Sequence, residues 1–310
     1  MESAKRSVVV AGASGFIGRL LVSDLLTSGC RVVALVRSTG GALPGNDPGL
    51  TTVAWDGKND GEWRRFLSGA DAVVNLSGES IGAARWTVAR KAKLLQSRIG
   101  PTRVLVNAMK DASPNLSSFI NASAVGYYGD VPEGEVTEER GAGNDFLSGI
   151  CSEWEAEAHE ATRFGVRVVT LRSGVVLDAR QGALPRMLLP FRLFLGGPLG
   201  SGRQWFPWIH RDDEIRAIRF ALDSQLISGP LNLTAPNAVR MDEFAAILGR
   251  VLHRPNAVRV PAFVLRIVLR EMANMVLTGQ RAVPAKLLGA GFTFRFGTLE
   301  TALADLLGKA

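Results

Sequence analysis

The stretch Val8-Val9-Val10-Ala11-Gly12-Ala13-Ser14-Gly15-Phe16-Ile17-Gly18 joins an apolar run to a segment whose leucines recur at positions 20, 21, 25 and 26. This pattern predicts a glycine-rich turn between a buried strand and a helix. Such a turn lets the backbone approach a pyrophosphate, and the helix N-terminus offers it free N–H groups. Glycine is common here, with 34 in 310 residues, so the spacing alone is weak evidence. Its placement between strand and helix predicts a dinucleotide site over a purely structural turn.

The composition is that of a globular chain with a large core. Of 310 residues, 46% are hydrophobic, enough for one large domain or a domain with an added lobe. The two cysteines, Cys30 and Cys151, are too few for a disulfide framework or a metal cluster, so we expect a reducing compartment and no metal. No run of about 18 uncharged apolar residues occurs, and the first residues lead into the predicted strand. We expect a cytoplasmic protein without membrane contact.

The positive charge is concentrated near the C-terminus. The net charge is +7, and residues 240–310 hold ten Lys and Arg against five Asp and Glu. These arginines are scattered among apolar residues, whereas a nucleic-acid surface would cluster them with exposed aromatic side chains. The pattern therefore favours a solvated helical surface and argues against nucleic acid as a partner. An acidic substrate or cofactor is the simpler use of the remaining charge.

Short β-branched runs alternate with helical segments along the first part of the chain. Strands are predicted at 8–11, 31–36, 71–76, 118–122 and 166–171, and helices near 17–28, 61–68, 87–111 and 145–163. This alternation predicts an α/β fold, a Rossmann-like doubly wound parallel sheet, over residues 1–178. Residues 179–310 are predicted to form a smaller C-terminal substrate lobe with a helical tail at about 255–308. Within that tail, 262–278 is predicted as a buried helix with one solvated stripe.

The second predicted strand ends at Arg37, nineteen residues after Gly18. An acidic residue at this place binds the ribose hydroxyls of NAD, whereas a guanidinium suits the 2′-phosphate of NADP. The sequence therefore favours NADP(H), the alternative being an arginine that only ends the strand in solvent. Asp56 follows the next strand-like run and could reach the adenine amine, or could equally be a turn residue before Gly57. The backbone of residues 75–79 is predicted to flank the cofactor.

Further motifs follow the glycine turn in a fixed order: Asp71-Ala72-Val73-Val74-Asn75-Leu76, Ser123-Ala124-Val125-Gly126-Tyr127-Tyr128-Gly129, Leu171-Arg172-Ser173-Gly174-Val175-Val176 and Trp208-Ile209-His210-Arg211-Asp212-Asp213. In this order they resemble the extended short-chain dehydrogenase/reductases, in the branch of the nucleoside-diphosphate-sugar epimerases. An atypical subfamily is more similar still, through Ser77-Gly78-Glu79, Arg85-Trp86, the paired tyrosines and the tail 279–292. Its members are labelled sugar-nucleotide epimerases or cell-division inhibitors.

The resemblance, which spans nearly the whole chain, implies an NADP-binding protein, and a homodimer through the long helices by analogy. At the matching positions it implies that Arg37 binds the 2′-phosphate, that Leu76 and Glu79 flank the cofactor, and that Val176 lies near the nicotinamide amide. The residues it implies for the pyrophosphate are Gly12, Ser14, Gly15, Phe16, Ile17 and Gly18.

Active members of this superfamily use a Tyr-x-x-x-Lys pair, in which the Lys lowers the tyrosine pKa and binds ribose. This chain has only two tyrosines, Tyr127 and Tyr128, and no lysine follows them at that spacing. On the corresponding helix, Leu147 stands at the Tyr position and Cys151 at the Lys position. Ser123 matches the active-site Ser/Thr, so Ser123, Tyr127 and Tyr128 are the catalytic candidates. The alternative for the tyrosines is packing against the cofactor and the lobe.

Several residues are candidates for the substrate pocket because an Arg suits an anionic group and aromatic rings suit a sugar face. For each, packing alone is the alternative. His210 invites a general-base role, but the resemblance favours a structural role, with Asp212 or Asp213 as a helix N-cap. The substrate-lining candidates are Arg85, Trp86, Gln204, Trp205, Phe206 and His210.

Two functions remain open on the sequence. The first is an NADP(H)-dependent oxidoreductase or nucleotide-sugar epimerase that acts on an unidentified small substrate. The second is an NADP-binding regulatory or partner-binding protein without turnover. The missing Tyr-x-x-x-Lys pair favours the second, and the retained Ser123, the two tyrosines and the aromatic loop at 204–206 favour the first.

Overall fold

A parallel seven-stranded sheet organises the chain. The computed structural model describes residues 6–38, 43, 47–112 and 116–308. The strands of this sheet are β1 (Ser7–Ala11), β2 (Arg31–Val36), β3 (Leu50–Ala54), β4 (Ala72–Asn75), β5 (Ser118–Ala124), β7 (Arg167–Ser173) and β11 (Gly229–Leu233). They lie in the order β11-β7-β5-β4-β1-β2-β3. The shorter strands are β6 (Val131–Val136), β8 (Val175–Leu177), β9 (Trp205–Phe206), β10 (Trp208–His210), β12 (Val239–Arg240) and β13 (Gln280–Ala282).

Helices cover both faces of this sheet, as a parallel sheet requires. The helices are α1 (Phe16–Thr27), α2 (Val88–Met109), α3 (Phe146–His159), α4 (Leu184–Arg192), α5 (Arg211–Asp223), α6 (Met241–Leu252), α7 (Ala262–Leu269), α8 (Asn274–Leu277), α9 (Ala285–Gly289) and α10 (Leu299–Leu306). Four 3-10 segments add Glu62–Gly69, Val125–Tyr128, Glu160–Phe164 and Arg270–Ala273. Helices α1 and α5 pack on one face and α2 and α3 on the other. The predicted Rossmann-like α/β class is confirmed.

The continuous hydrophobic sequences of β1 and β4 explain why these two strands lie at the centre of the sheet. Every residue of β1 and β4 is buried, because helices cover both of their faces. The strand order reverses between β1 and β4: β2 and β3 follow on one side of β1, while β4, β5, β7 and β11 extend on the other. At such a reversal the carboxyl ends of the strands border a ligand-binding crevice. The glycine turn after β1 lies at this point.

The chain returns to the sheet after the predicted domain boundary. Strand β11 pairs in parallel with β7, and α5 packs into the same core as α1. Both elements come from the part of the chain predicted as the lobe, so the sheet does not end at residue 178. A separate hydrophobic cluster, formed by α4, α6, α10 and the loops between them, is the core of the C-terminal lobe.

The segment 262–278 differs from its prediction. Helix α7 ends at Leu269, because Arg270 has a φ of 54° and interrupts the helix. None of the α7 residues is buried, and Phe263 and Ile267 are 64% and 72% exposed. The prediction of one continuous, buried helix is therefore wrong. Among the helices of the described ranges, none has the length and apolar character that crossing a membrane requires.

A buried carboxyl group lies between α5 and the sheet. Glu214 is 2% exposed, and its Oε1 lies 2.6 Å from the Ser173 hydroxyl at the end of β7. Its Oε2 has no hydrogen-bond partner among the described residues. Burial raises the pKa of Glu214 to about 8, although the Ser173 hydrogen bond acts in the opposite direction. The native protein therefore holds this side chain neutral at pH 7.

We predict that Glu214→Gln stabilises the fold increasingly as pH rises from about 4.5 to 8. The wild-type carboxyl stays protonated in the native state but ionises in the unfolded chain, so stability is lost with rising pH. A neutral amide removes this loss, which is of the order of 2–4 kcal/mol at pH 7.5. Thermal or urea unfolding at several pH values measures it. Glu243→Gln, an exposed change on α6, is the control, and a pH-independent effect of Glu214→Gln would contradict the prediction.

Candidate functional site

The glycine turn is built by two close backbone contacts. Gly12 has a φ of +75°, and a Cβ there would lie 2.7 Å from the Leu76 carbonyl carbon and 2.9 Å from the Ser77 nitrogen. A Cβ on Gly18 would lie 2.2 Å from the Gly12 oxygen. Both positions therefore require glycine. The contacts hold the turn directly against the end of β4, with the Leu76 N–H donating to the Ala11 carbonyl.

The first turn of α1 is open to a ligand. Gly15 is the N-cap and supplies no side-chain hydrogen bond, and no acidic residue lies in the first turn. The free N–H groups of this turn therefore point into the crevice with the positive end of the helix dipole. Ser14 and Gly15 are exposed, while the side chain of Ile17 packs against the core. The exposed backbone at Ser14 and Gly15 and the missing side-chain cap fit a pyrophosphate.

The segment 176–182 closes against the same turn. The ring of Phe16 comes within 3.5 Å of the place where a Cβ on Gly182 would lie, and the Val176 carbonyl within 3.3 Å of it. Arg19 donates to the Gln181 side chain at 2.8 Å. The half-buried Val176 of β8 lies next to Gly182 and packs against the sheet core; its place near the nicotinamide amide remains a prediction.

Arg37 lies at the other end of the crevice within a cluster of charges. Its side chain is 84% exposed, and Nη1 lies 3.9 Å from Oε1 of Glu79. Glu79 also binds Arg90 at 3.1 Å and Lys93 at 3.4 Å. The Arg90 hydrogen bond is the main reason why the pKa of Glu79 is lowered. The sequence prediction named Arg37 and Glu79 but missed the two cations on α2.

Asp56 caps a turn at the end of β3. Its carboxylate accepts hydrogen bonds from the backbone N–H groups of Lys58 and Asn59, at 2.8 and 3.0 Å, and from the Asn59 side chain at 2.6 Å. These backbone bonds lower the pKa of Asp56. The geometry matches the turn alternative, and a contact to adenine remains a prediction.

The helix that should carry the missing catalytic pair is α3. Leu147 lies beside Gly126, with its Cβ 3.5 Å from the place of a Gly126 Cβ. Cys151, one turn later, is buried against Ser123 and Ala124. Burial raises the pKa of its thiol to about 12, so Cys151 is a neutral group. Neither residue supplies an acid, a base or a charge at neutral pH.

A buried ion pair fixes α3 to the sheet. Arg172 of β7 donates from Nε and Nη2 to both carboxylate oxygens of Glu155, at 2.9 and 2.8 Å. The Ser123 hydroxyl donates to the same carboxylate at 2.6 Å. Because this hydroxyl is engaged and Ser123 is only 7% exposed, the expected contact with a substrate is corrected to a structural one. Sequence could not show which face of β5 the side chain occupies.

The two tyrosines differ in their surroundings. Tyr128 is 2% exposed, donates to Asn232 at 2.7 Å and accepts from Arg172 at 3.0 Å. Burial raises its pKa to about 12, so its predicted catalytic role is replaced by a structural one. Tyr127 is half-buried, with its ring 3.5 Å from the Arg172 guanidinium carbon. Its hydroxyl makes no hydrogen bond to the described part of the chain.

Two of the substrate-pocket candidates are structural. Gln204 donates its amide hydrogens to the carbonyls of Leu199 and Val276. Phe206 packs in the lobe core against Phe244 with ring centroids 4.5 Å apart. These contacts tie loops and helices of the lobe together, so the prediction that Gln204 and Phe206 line a substrate pocket is corrected.

His210 is fully buried and caps α5. Its Nδ1 accepts from the Asp212 N–H at 3.0 Å, and Nε2 lies 3.2 Å from Oδ2 of Asp305. The N-cap is therefore His210 itself, not Asp212 or Asp213 as predicted. Burial lowers the pKa of His210. Both ring nitrogens are engaged, so the role as a substrate residue is corrected to a structural one.

The remaining candidates lie near the start of α3 and on the lobe. Trp86 donates to the Ile81 carbonyl at 3.0 Å and packs against Phe146 at the start of α3, with centroids 5.2 Å apart. Arg85 beside it is exposed. Trp205 donates to the Pro132 carbonyl at 3.0 Å, and Arg240 covers its ring at 4.3 Å. Of these, Trp86 lies beside the helix that carries Leu147.

The sequence prediction missed Arg98. This α2 residue donates to the carbonyls of Leu94 and Glu79 at 2.9 and 3.0 Å, and its guanidinium lies over the Trp154 ring. Arg98 shares the inward face of α2 with Leu94, Thr102 and Leu105, none of which is charged. A single charged residue at this helical spacing is the sequence signal that could have identified it.

Comparison with known proteins agrees with this geometry. The model of the NAD dependent epimerase/dehydratase family matches residues 8–233, and a domain of unknown function, DUF1731, matches 260–306. "Epimerase family protein ML0860" of Mycobacterium leprae is 41% identical over 303 residues, covering 97% of this chain and 96% of that protein.

Two solved structures are also similar. Human epimerase family protein SDR39U1 (isoform 2) with NADPH has a TM-score of 0.85 and 34% identity, covering 98% of this chain and 100% of that one. The nucleoside-diphosphate sugar epimerase of Corynebacterium glutamicum has a TM-score of 0.79 and 33% identity, covering 98% of this chain and 59% of that one. The human structure holds NADPH, the cofactor form that the sequence predicts for this chain. The chain belongs to the NAD dependent epimerase/dehydratase family, as an atypical short-chain dehydrogenase/reductase.

Proposed function

We propose that this protein is an NADP(H)-dependent oxidoreductase that acts on a small organic substrate. The observation that carries the proposal is the open N-terminus of α1, held by Gly12 and Gly18 against the end of β4 at the point where the strand order reverses. The NADPH of the human relative supports it. The bound cofactor would supply hydride transfer at its nicotinamide ring.

Different residues of this chain would bind different parts of the cofactor. The N–H groups of the first α1 turn would bind the pyrophosphate, and Arg37 the 2′-phosphate. Arg90 and Lys93 already neutralise Glu79 beside Arg37, so the region stays positive for a phosphate. Val176 would orient the nicotinamide amide from β8.

Reduction of a substrate carbonyl needs a proton as well as the hydride. Because this chain lacks the Tyr-x-x-x-Lys pair, another group has to donate that proton. Tyr127 is the remaining phenol, because the Tyr128 hydroxyl is engaged by Asn232 and Arg172. Tyr127 would donate the proton without the help of a neighbouring lysine, with Arg85 and Trp86 holding the substrate.

For the substrate we propose a small anionic molecule, with nucleoside-diphosphate sugars as the first class to test. The name of the Corynebacterium relative supports this class, and an Arg beside a Trp suits a phosphate and a sugar face. Epimerisation of the same substrate would leave no net change in the cofactor. A binding protein without turnover is the alternative, and the missing pair on α3 favours it.

Arg37→Ala should weaken NADPH binding by about tenfold or more while NADH binding changes less than twofold, because only NADPH carries the 2′-phosphate. Titration of protein and cofactor fluorescence measures both affinities. Arg31→Ala, at the opposite end of the same strand and also exposed, is the control and should alter neither. Equal losses for both cofactors would contradict the assignment of the 2′-phosphate.

Tyr127→Phe should lower the rate of NADPH oxidation by about tenfold to a hundredfold, since a positioned acid contributes at least this much. Tyr128→Phe should instead lower stability by about 1–3 kcal/mol, because it leaves Asn232 and Arg172 without their buried partner. The assay follows absorbance with sugar nucleotides, aldehydes, ketones and quinones.

If wild-type protein binds NADPH but oxidises it with no member of this panel and epimerises no sugar nucleotide, the oxidoreductase proposal fails. Binding without turnover would then be the function. Equal turnover by Tyr127→Phe and wild type would exclude Tyr127 as the proton donor.

A further inference from the structure

Large apolar side chains are exposed on two segments of the C-terminal lobe, residues 184–200 and 251–270, whose exposed side chains we call the lobe surface. Of the twelve large hydrophobic side chains exposed in the described ranges, eight lie here. They are Leu189, Leu193, Phe194, Leu195, Val258, Phe263, Ile267 and Val268. Exposed apolar area that is concentrated in this way marks an interaction surface.

Backbone contacts place the two segments side by side. The Val258 N–H donates to the Gly196 carbonyl at 3.1 Å, and a Cβ on Gly197 would collide with the Val258 carbonyl. The guanidinium carbon of Arg254 lies 4.4 Å from the centroid of the Phe194 ring. The end of α4 and the approach to α7 are therefore neighbouring parts of one surface.

Phe194 holds an aromatic ring in solvent at a position that favours glycine. Its φ is 61°, and the Leu195 N–H donates to the Pro190 carbonyl at 2.9 Å, which is the Schellman ending of a helix. Glycine is usual where Phe194 stands, because a Cβ is strained in this conformation. Leu195, which such an ending commonly packs against its helix, is 58% exposed. Ending α4 therefore explains neither of these large apolar residues.

Helix α7 has the pattern of a helix that lies in an interface. Phe263 and Ile267 are one turn apart and share a face, with Arg266 beside it. Val264 and Leu265 are half-buried and turn toward the lobe. The exposed face of α7 thus combines large apolar side chains with a flanking cation.

The charge of the lobe surface has one sign. Residues 184–200 and 251–270 contain six arginines and no Asp or Glu. The six, all exposed, are Arg186, Arg192, Arg254, Arg259, Arg266 and Arg270. Arg259 pairs with Asp242 of α6 at 2.8 Å, and ion pairs within the described ranges engage none of the other five. The apolar side chains are therefore surrounded by positive charge.

We propose that the lobe surface binds an anionic lipid bilayer. The apolar side chains of α7 and of the α4 end enter the headgroup region, and the arginines bind lipid phosphates. A second copy of this chain fits less well, because a symmetric contact would bring two arginine-rich surfaces together. A nucleic acid would match the charge but leave the aliphatic side chains in water.

A contact of this kind lies on the bilayer and needs no spanning helix. It departs from the expectation of no membrane contact, which went with a buried helix at 262–278. Because α7 is exposed along its length, the sequence pattern of apolar residues and arginines describes a surface and not a core.

The test is co-sedimentation of the full chain with vesicles of phosphatidylcholine, alone or with about 30% phosphatidylglycerol. Wild type should bind the anionic vesicles at least about tenfold more tightly, and added salt should reduce this preference by screening the arginines. Phe263→Ser/Ile267→Ser should weaken binding by about tenfold or more through lost apolar burial. Arg192→Gln/Arg266→Gln should weaken it by about tenfold or more at low salt.

Matched controls change the same residue types outside the lobe. Phe164→Ser/Leu226→Ser removes two exposed apolar side chains. Arg65→Gln/Arg163→Gln removes two arginines whose side chains are 68% and 72% exposed. Both controls should bind anionic vesicles within about twofold of wild type. Thermal melting checks that each variant folds.

Equal binding of wild type to both vesicle types, or to neither, overturns the inference. Unchanged binding by either pair of lobe variants also overturns it. If Phe263→Ser/Ile267→Ser does not fold, the arginine pair and the lipid preference of wild type still decide.

Sedimentation velocity examines the other occupant. A wild-type dimer that Phe263→Ser/Ile267→Ser dissociates, without vesicle binding, would assign the lobe surface to a contact between copies and overturn the inference. All of these measurements are made without cofactor, so their failure leaves the proposed NADP(H) function untouched.

Discussion

The close approach of the glycine turn to the end of β4 is the constraint on which the remaining site depends. Side chains at Gly12 or Gly18 would collide with backbone atoms of residues 76–77 or of Gly12 itself. Because these contacts are made, α1 begins at the strand reversal with its N–H groups unengaged. The positions of Arg37 at one end of the crevice and Val176 near the other follow from strands fixed to the same sheet. The position of the cofactor site is therefore set mainly by backbone geometry, and the side chains add contacts to it.

The catalytic region follows a different principle. The Glu155–Arg172 pair holds α3, β5 and β7 together and engages the hydroxyls of Ser123 and Tyr128. Truncating one partner of such a buried pair costs about 3–5 kcal/mol, so these groups stabilise the fold rather than react. With Leu147 and Cys151 on α3, the described part of this region retains a half-buried phenol, that of Tyr127. Positive charge and cofactor binding are better developed here than acid–base chemistry.

Sequence periodicity was sufficient for the sheet and for the glycine turn, because buried parallel strands require continuous apolar runs. It did not place β11 in the main sheet, since that pairing depends on a long-range return of the chain. Sequence periodicity also could not distinguish a substrate-binding role from a structural role where the difference depends on the direction of a side chain. Ser123, Gln204, Phe206 and His210 have the residue types of a polar or aromatic pocket, yet each is engaged in tertiary contacts. Arg98 was missed because its crevice environment is formed by three separate segments of the chain.

A high-resolution structure with NADPH bound tests the central claim most directly. We expect the pyrophosphate on the N–H groups that follow Gly12, the 2′-phosphate beside Arg37, and the nicotinamide between Val176 and the region of Tyr127 and Cys151. A cofactor bound elsewhere, or one whose nicotinamide points away from α3, would contradict this account of the site.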